Sequence, residues 1–207
     1  MKCLGILQNH KNPYHRTIVN ELSRIGKGSS IIEELEEHMK DDTLYIIRGI
    51  TNTGSKYAIS ILGKSEQVAR KGISLSIRKR LLPDNICICE QKKQYLYDLS
   101  HLVAPRFGGN NKEENLFIGT QKLNQEIMRD VENQITDYLT DSINKGNHVL
   151  YLLELDYRDN DRICSEIKMR AYSIENDGLF IEECFENSQP NYQINYADGT
   201  AQLTNNN

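Results

Sequence analysis

The sequence predicts an α+β fold, a central antiparallel sheet flanked by helices, and three observations carry that prediction. A long amphipathic helix occupies residues 120–146. A strand hairpin precedes it, and three strand-like runs follow it. Helical patterns dominate the first 40 residues and then give way to strands.

The elements follow in order. Residues 15–26, HRTIVNELSRIG, place Ile18, Leu22 and Ile25 at helical spacing, with Gly26 as a stop. Ser29 and Ser30 can cap a second helix over residues 31–40. Residues 43–50, TLYIIRGI, are apolar and β-branched, hence a strand; Asn52-Thr53-Gly54-Ser55 is turn chemistry, and residues 56–63 return as its partner. Residues 65–82 read as a helix ending before Pro83. Residues 86–101, ICICEQKKQYLYDLSH, read as extended, with a hairpin turn near Gln91–Lys93. In the long helix, Leu123, Ile127, Val131, Ile135 and Leu139 form a stripe four apart, and Lys145-Gly146 closes it. Three strands then alternate with Asp-Asn-Asp and Asn-Asp-Gly turns, the pattern of an antiparallel meander. The polar tail is expected to fray after Gly199. These boundaries divide the chain into an N-terminal helix-and-hairpin region (1–63), a main domain (64–199) and a disordered tail (200–207).

Composition bounds the function classes. With 207 residues, 38% hydrophobic and 26% charged, the chain can bury one real core. No apolar run approaches the ~20 residues of a membrane span. The N-terminus lacks the pattern of a secretory signal, so a cytoplasmic location is expected unless a specialised secretion system exports the protein. Five scattered cysteines argue against a disulfide framework. Cys87 and Cys89 read as alternate positions of a half-buried strand, since a zinc site wants a second ligand pair and none is present. The net charge is −4, yet Lys64, Arg70, Lys71, Arg78, Lys79 and Arg80 form a basic stretch, and Lys92, Lys93 and Arg106 lie close to the most informative segment. A basic face on an acidic protein suffices to hold phosphates, because such contacts are local and salt-screened.

That segment is Tyr97–Glu132, which collects His101, Gly108-Gly109, Asn115, Asn124 and Glu132. The residue types suit phosphodiester hydrolysis. A neutral histidine near its ordinary pKa of ~6.5 can take a proton from water. A hard cation can offset charge on the phosphate and the leaving oxygen. Mg²⁺ keeps several of its waters and needs only one or two protein oxygens, so an asparagine carbonyl is an adequate ligand. On a regular helix Asn124 and Glu132, eight positions apart, differ by roughly 80° around the axis and about 12 Å along it. That places Asn124 on the metal and Glu132 one layer further out, acting through a water. His101 is expected to face them from a strand, with Gly108-Gly109 as the tight turn joining strand to helix.

The segment resembles the DNA/RNA non-specific endonucleases, a ββα-metal nuclease family that includes nuclease toxin domains of type VII-secreted proteins. The resemblance rests on Asp98-Leu99-Ser100-His101, Gly108-Gly109, Asn115, Leu123-Asn124 and Glu132, and spans about residues 79–199. It implies a ββα-metal core, His101 as general base and Asn124 as the direct metal ligand. It implies Asn115 and Glu132 as supports of the metal and phosphate. Arg106, Lys92 and Lys93 are the candidate substrate-binding cations. The implied cofactor is Mg²⁺, with Mn²⁺ as the alternative. The implied partners are DNA, RNA as a second substrate, and an inhibitor or immunity protein if the chain is a toxin or defence effector. Two positions depart from the family: Leu99 stands where an Arg is common and Ser100 where a Gly is common. These departures keep open a catalytically impaired nucleic-acid-binding relative. The HNH form of the same fold is a further alternative. It usually carries Asp or His directly before the base, where this chain has Ser100.

Overall fold

The computed structural model describes residues 12–25, 33–35, 37, 45–51, 54–63, 72–84 and 86–204. The helix expected over 31–40 and the first part of the one expected over 65–82 fall largely outside the described residues, as do Lys64, Arg70 and Lys71. The chain runs α1 (His15–Arg24), β1 (Tyr45–Ile50), β2 (Lys56–Leu62), α2 (Leu75–Leu81), β3 (Cys87–Cys89), β4 (Gln94–Tyr95), β5 (Tyr97–His101) and β6 (Leu116–Thr120). It continues through α3 (Met128–Thr140), β7 (Val149–Asp156), β8 (Glu166–Ser173), β9 (Phe180–Glu186), β10 (Tyr192–Ile194) and β11 (Ala201–Leu203).

Five strands form one antiparallel sheet in the order β1-β2-β7-β8-β9. The meander β7-β8-β9 is present as expected, with Leu152 opposite Arg170 and Ala171 opposite Ile181. β2 pairs along its full length with β7, Lys56 opposite Leu155 through Leu62 opposite Val149. The hairpin assigned by sequence to the 1–63 region therefore belongs to the central sheet. The edge of β2 away from β1 presents unpaired backbone N–H and C=O groups, and β7 pairs with them.

β7 is apolar nearly throughout because both sheet faces are covered. Val149, Tyr151, Leu153 and Leu155 face the layer that contains Leu123, Met128, Val131, Ile135 and Leu139. Leu150 and Leu152 face Ile18, Leu22 and Ile25 of the α1 layer. Each such side chain contributes about 1.5–3 kcal/mol on leaving water. The result is a helix–sheet–helix arrangement, the expected α+β architecture.

A third cluster holds the site's scaffold. β5 and β6 form an antiparallel hairpin with His101 opposite Leu116 and Asp98 opposite Gly119. Leu96, Tyr97, Leu99, Leu116, Ile118 and Ile163 make its core, and Ile73, Ile77, Tyr192 and Ile194 pack against it. Buried Asn187 joins this hairpin to the main sheet. Its amide donates to the carbonyls of Ile118 (3.0 Å) and Cys164 (2.9 Å), and its Oδ1 accepts from Thr120 N–H (2.8 Å). The C-terminus also differs from expectation: residues 201–203 pair with β10 across the turn at Gly199 rather than fraying. The described cysteines 87, 89, 164 and 184 are all free thiols. Among the described residues no helix is long and apolar enough to cross a membrane.

Candidate active site

β5, β6 and the helix that follows form a ββα unit, and the candidate site is the cleft along it. β6 passes into the helix without a loop. Thr120, the last strand residue, caps the helix by accepting from Leu123 N–H through Oγ1 (3.2 Å). The long connection between β5 and β6 holds the Gly-Gly pair. Gly108 has φ +88°, a conformation that favours glycine. A Cβ on Gly109 would lie 1.7 Å from the Val103 carbonyl oxygen. The pair therefore turns one strand toward the other, not strand into helix as the sequence suggested.

His101 ends β5 and is half-buried. Its Nε2 lies 2.8 Å from Asn111 Oδ1. A carbonyl oxygen there requires Nε2 to carry the proton, which leaves the Nδ1 lone pair as the basic atom. Burial pushes the imidazole pKa down; the Asn111 contact opposes this, and the charge of Arg78 adds to the lowering. The ring is thus held neutral over a wider pH range than a histidine in water.

Asn124 lines the same cleft as His101, from the helix. Its Nδ2 donates to Asp98 Oδ2 (3.2 Å), and Gln125 Nε2 donates to the same oxygen (2.7 Å). With the amide nitrogen held by Asp98, the Asn124 carbonyl oxygen is the atom left to serve as a ligand. Here the helix departs from regular geometry. Residues Leu123–Ile127 form a π turn, in which Met128 N–H reaches back to the Leu123 carbonyl. An i→i+5 turn advances less than ~100° per residue, so the ~80° offset expected between Asn124 and Glu132 shrinks. Both side chains accordingly line the same cleft.

That cleft has a volume of about 620 Å³ and is open to solvent. His101, Asp98, Asn124, Glu132, Arg78, Arg106 and Arg129 all contribute to its wall. Arg106 Nε lies 3.5 Å from Glu132 Oε2, and Arg106 Nη1 donates to Asn133 Oδ1 (2.7 Å). Arg106 is thereby held along the helix. Among the described residues no group of three or more His, Cys, Asp or Glu side chains is arranged to hold a metal. The cleft instead offers one amide oxygen with the Asp98 and Glu132 carboxylates nearby, a donor set that fits a hard cation retaining most of its waters.

Asn115 is not among the residues lining the cleft. It is buried, and its polar atoms are all engaged in the β5–β6 connection. Nδ2 donates to the carbonyls of Val103 (2.9 Å) and Asn110 (2.8 Å). Oδ1 accepts from Val103 N–H (3.1 Å) and Arg48 Nη2 (3.2 Å). Asn115 thus braces the loop that carries Asn111. Lys92 and Lys93 also stand apart from the cleft, exposed at the tip of the β3–β4 hairpin. Sequence reasoning gave no role to Asp98, Asn111, Gln125 or Arg129. Asp98 was visible as the first residue of the DLSH motif; the other three carry no signal apart from the fold.

Ser100 does not adopt a positive φ, so this strand does not need a glycine there. Its hydroxyl is buried without a hydrogen-bond partner among the described residues. The space comes from across the hairpin, where a Cβ on Gly119 would approach Ser100 Oγ to 2.3 Å. Leu99 is buried in the hairpin core and also borders the cleft, so no cation is presented from that position.

A ββα unit with a histidine on its strand and an asparagine on its helix, opening on a shared cleft, defines a protein of the ββα-metal nuclease class. The sequence pattern of the DNA/RNA non-specific endonuclease family matches residues 52–175, well over half of the chain, and the chain belongs to that family. Solved structures show the same fold. NucA from Streptococcus agalactiae with magnesium ion bound is similar with a TM-score of 0.63 at 17% identity, over 78% of each chain. Sda1 nuclease with bound zinc ion gives 0.59 at 21% identity, covering 76% of this chain and 80% of that one. An extracellular nuclease gives 0.54 at 18% identity, covering 78% and 94%. Among proteins with curated descriptions, none matches this chain significantly in sequence.

Proposed function

We propose that the protein is a metal-dependent endonuclease that hydrolyses phosphodiester bonds of DNA, and of RNA, with little sequence preference. The observation that carries this reading is that His101 and Asn124 line one open cleft, each hydrogen-bonded to its own amide or carboxylate partner. Family membership supports the reaction class. The metal proposed is Mg²⁺, with Mn²⁺ as the alternative; the magnesium ion in the NucA structure supports that choice.

The residues divide the work as follows. Asn111 fixes the His101 ring with Nδ1 basic, and Nδ1 takes a proton from the attacking water. The water oxygen bonds to phosphorus as the bond to the leaving oxygen breaks, and that oxygen acquires a proton from solvent. Asn124 would hold the cation through Oδ1, oriented by Asp98, with Glu132 supporting it through water. When bound, the cation neutralises charge that builds on the phosphate and the leaving oxygen. We assign Asn115 to the positioning of the loop, one step removed from the chemistry. A toxin or defence role with an inhibitor partner rests on the family resemblance alone.

Plasmid nicking tests the reading. Wild type should cut with Mg²⁺ and stop in EDTA, and His101→Ala should not cut. Equal residual cutting by both proteins would sink it. Metal titration of Asn124→Ala tests the ligand, since unchanged affinity excludes it.

A further inference from the structure

Leu99 leaves no cation at the position where the resembling family commonly has one, and three arginines line the cleft. Arg106 is tied to Glu132 and Asn133, so much of its charge is answered within the protein. Arg129 lies on the helix, exposed, beyond the π turn. Arg78 comes from α2 and is exposed. Of the three, it is the one whose charge acts on the His101 ring. Arg78 and Arg129 have no ion pair among the described residues. α2 is held in place from beneath: Ile77 and Leu81 pack on the β5–β6 core, and Ser74 caps the helix by accepting from Ile77 N–H (3.4 Å). Its neighbour Arg80 is occupied by an ion pair with Glu113.

We propose that Arg78 is the phosphate-binding cation of this nuclease, serving the scissile phosphate from α2 in place of the arginine absent at position 99. The inference rests on the nuclease reading above. Water attacking beside His101 must meet phosphorus on the His101 side of the cleft. A guanidinium near that ring can reach the non-bridging oxygens of the same phosphate and offset their charge as it grows in the transition state. An arginine suits this better than a lysine, because its planar fork matches two phosphate oxygens at once. α2 thus supplies from a separate element what the motif strand lacks.

The charged groups that share the cleft with His101 are Arg78 from α2, Asp98 on its own strand, Arg106 from the β5–β6 connection, and Arg129 and Glu132 from the helix; Asn111 contacts the ring itself. Of these, the charged group that depresses its pKa is Arg78. Removing Arg78 should therefore leave a second mark besides lost rate.

The experiment uses Arg78→Met, Arg78→Lys and, as a control on the outer face of α2, Lys79→Met. Cleavage of a defined duplex is measured against pH, and binding of the same duplex is measured against salt in EDTA in the His101→Ala background. Arg78→Met should lower kcat/KM about a hundredfold, as loss of one charged transition-state donor does. It should move the acid limb of the profile to higher pH and reduce the salt slope of binding by about one. Arg78→Lys should restore the pH limb but only part of the rate, and Lys79→Met should do neither. An Arg78→Met protein that cuts like wild type, or loses rate with its pH limb and salt slope unmoved, overturns the assignment while leaving the nuclease reading intact. A wild-type protein that fails to cut overturns both.

Discussion

Two clusters of charged and polar side chains are built on the same framework and end differently. On the α1 side of the sheet, Glu154 is 3% exposed and lies 2.6 Å from Arg24 and 3.4 Å from Arg170. Glu21 completes the set, 3.1 Å from Arg24 and 3.6 Å from Arg170. Every charge there faces an opposite one. On the other side, Asp98 orients Asn124, Asn111 orients His101, and both oriented groups point into about 620 Å³ of open cleft. The first cluster closes on itself and docks a helix. The second spends each carboxylate or amide on aiming a neighbour and leaves the aimed atom for something outside the protein. Among polar clusters, this one-sided satisfaction marks the site better than residue type does.

The comparison is tested most severely by truncating one member of each cluster. His101→Ala should reduce cleavage by about 10³–10⁴-fold, the upper range for loss of a positioned base. Its thermal unfolding should move little, because the ring is half-buried and faces the cleft. A large loss of stability with modest loss of rate would reverse the two roles. The pH profile of the wild type carries the same information. A base works when unprotonated, and His101 is held below the usual histidine pKa by burial and by Arg78. Activity should therefore rise through a midpoint below ~6.5 and persist into mildly acidic solution. A midpoint above that value would show that the ring is not the base in this environment.

Glu154→Ala should behave in the opposite way. It leaves Arg24 and Arg170 sharing Glu21 alone, and because Arg24 is partly exposed the loss should be about 1–3 kcal/mol, below the cost of breaking a fully buried pair. Urea unfolding measures this, and cleavage per folded molecule should stay near wild type. Burial pushes the Glu154 pKa up, but the hydrogen bond to Arg24 and the charges of Arg24, Arg170 and Lys168 outweigh it, for a net lowering. A carboxylate with a lowered folded-state pKa contributes stability above its unfolded pKa and loses it as pH falls through the folded value. Wild type should therefore lose stability in acid faster than Glu154→Ala does. A loss in Glu154→Ala of under about 1 kcal/mol would mean that the cluster behaves as a surface network.

Asn115→Ala falls between these cases. It frees the carbonyls of Val103 and Asn110 and leaves Arg48 without its acceptor, while the backbone hydrogen bonds of the loop and its buried Val103 and Phe107 remain. A buried polar group left unpaired costs about 1–3 kcal/mol, so stability should drop by about that much. Cleavage should fall mainly through kcat, since the loop bears Asn111 and through it the orientation of His101. If KM rises with kcat unchanged, Asn115 acts on substrate directly and the positioning role is wrong.

The legible parts of this molecule were those with a repeating pattern. The stripe from Leu123 to Leu139 marked the long helix because burial on one face imposes a period. The meander was legible from its strands and turns. The π turn at Leu123–Ile127 left no mark, since it is made by backbone hydrogen bonds and breaks no apolar spacing. His101, Asn124 and Glu132 were legible as a motif, and the fold does bring them to one cleft. Lys92 and Lys93 are near His101 in sequence, but the β3–β4 hairpin carries them outward. Arg78 is more than twenty residues from His101, yet the packing of Ile77 and Leu81 returns it to the ring. Asn115 and Asn124 looked alike in sequence, and only the loop around Asn115 shows that its polar atoms are already taken.

The smallest effect tests the departure at Ser100. Its hydroxyl is buried without a partner among the described residues, a cost of about 1–3 kcal/mol. Ser100→Gly removes that cost but gives up about 0.5–1 kcal/mol, because glycine in a strand loses more freedom on folding. It also opens a void where the side chain met Gly119. The terms oppose, so Ser100→Gly should change stability by less than about 1 kcal/mol and leave cleavage near wild type. Gly119→Ala is different, because its Cβ would meet Ser100 Oγ at 2.3 Å with Phe117 close behind. Alone it should be clearly destabilising, and in the Ser100→Gly background most of the loss should vanish, a coupling of the kind neighbouring residues show. Additive effects would mean that the hydroxyl and the missing Cβ do not share a space. The serine would then be tolerated for some reason other than the glycine opposite.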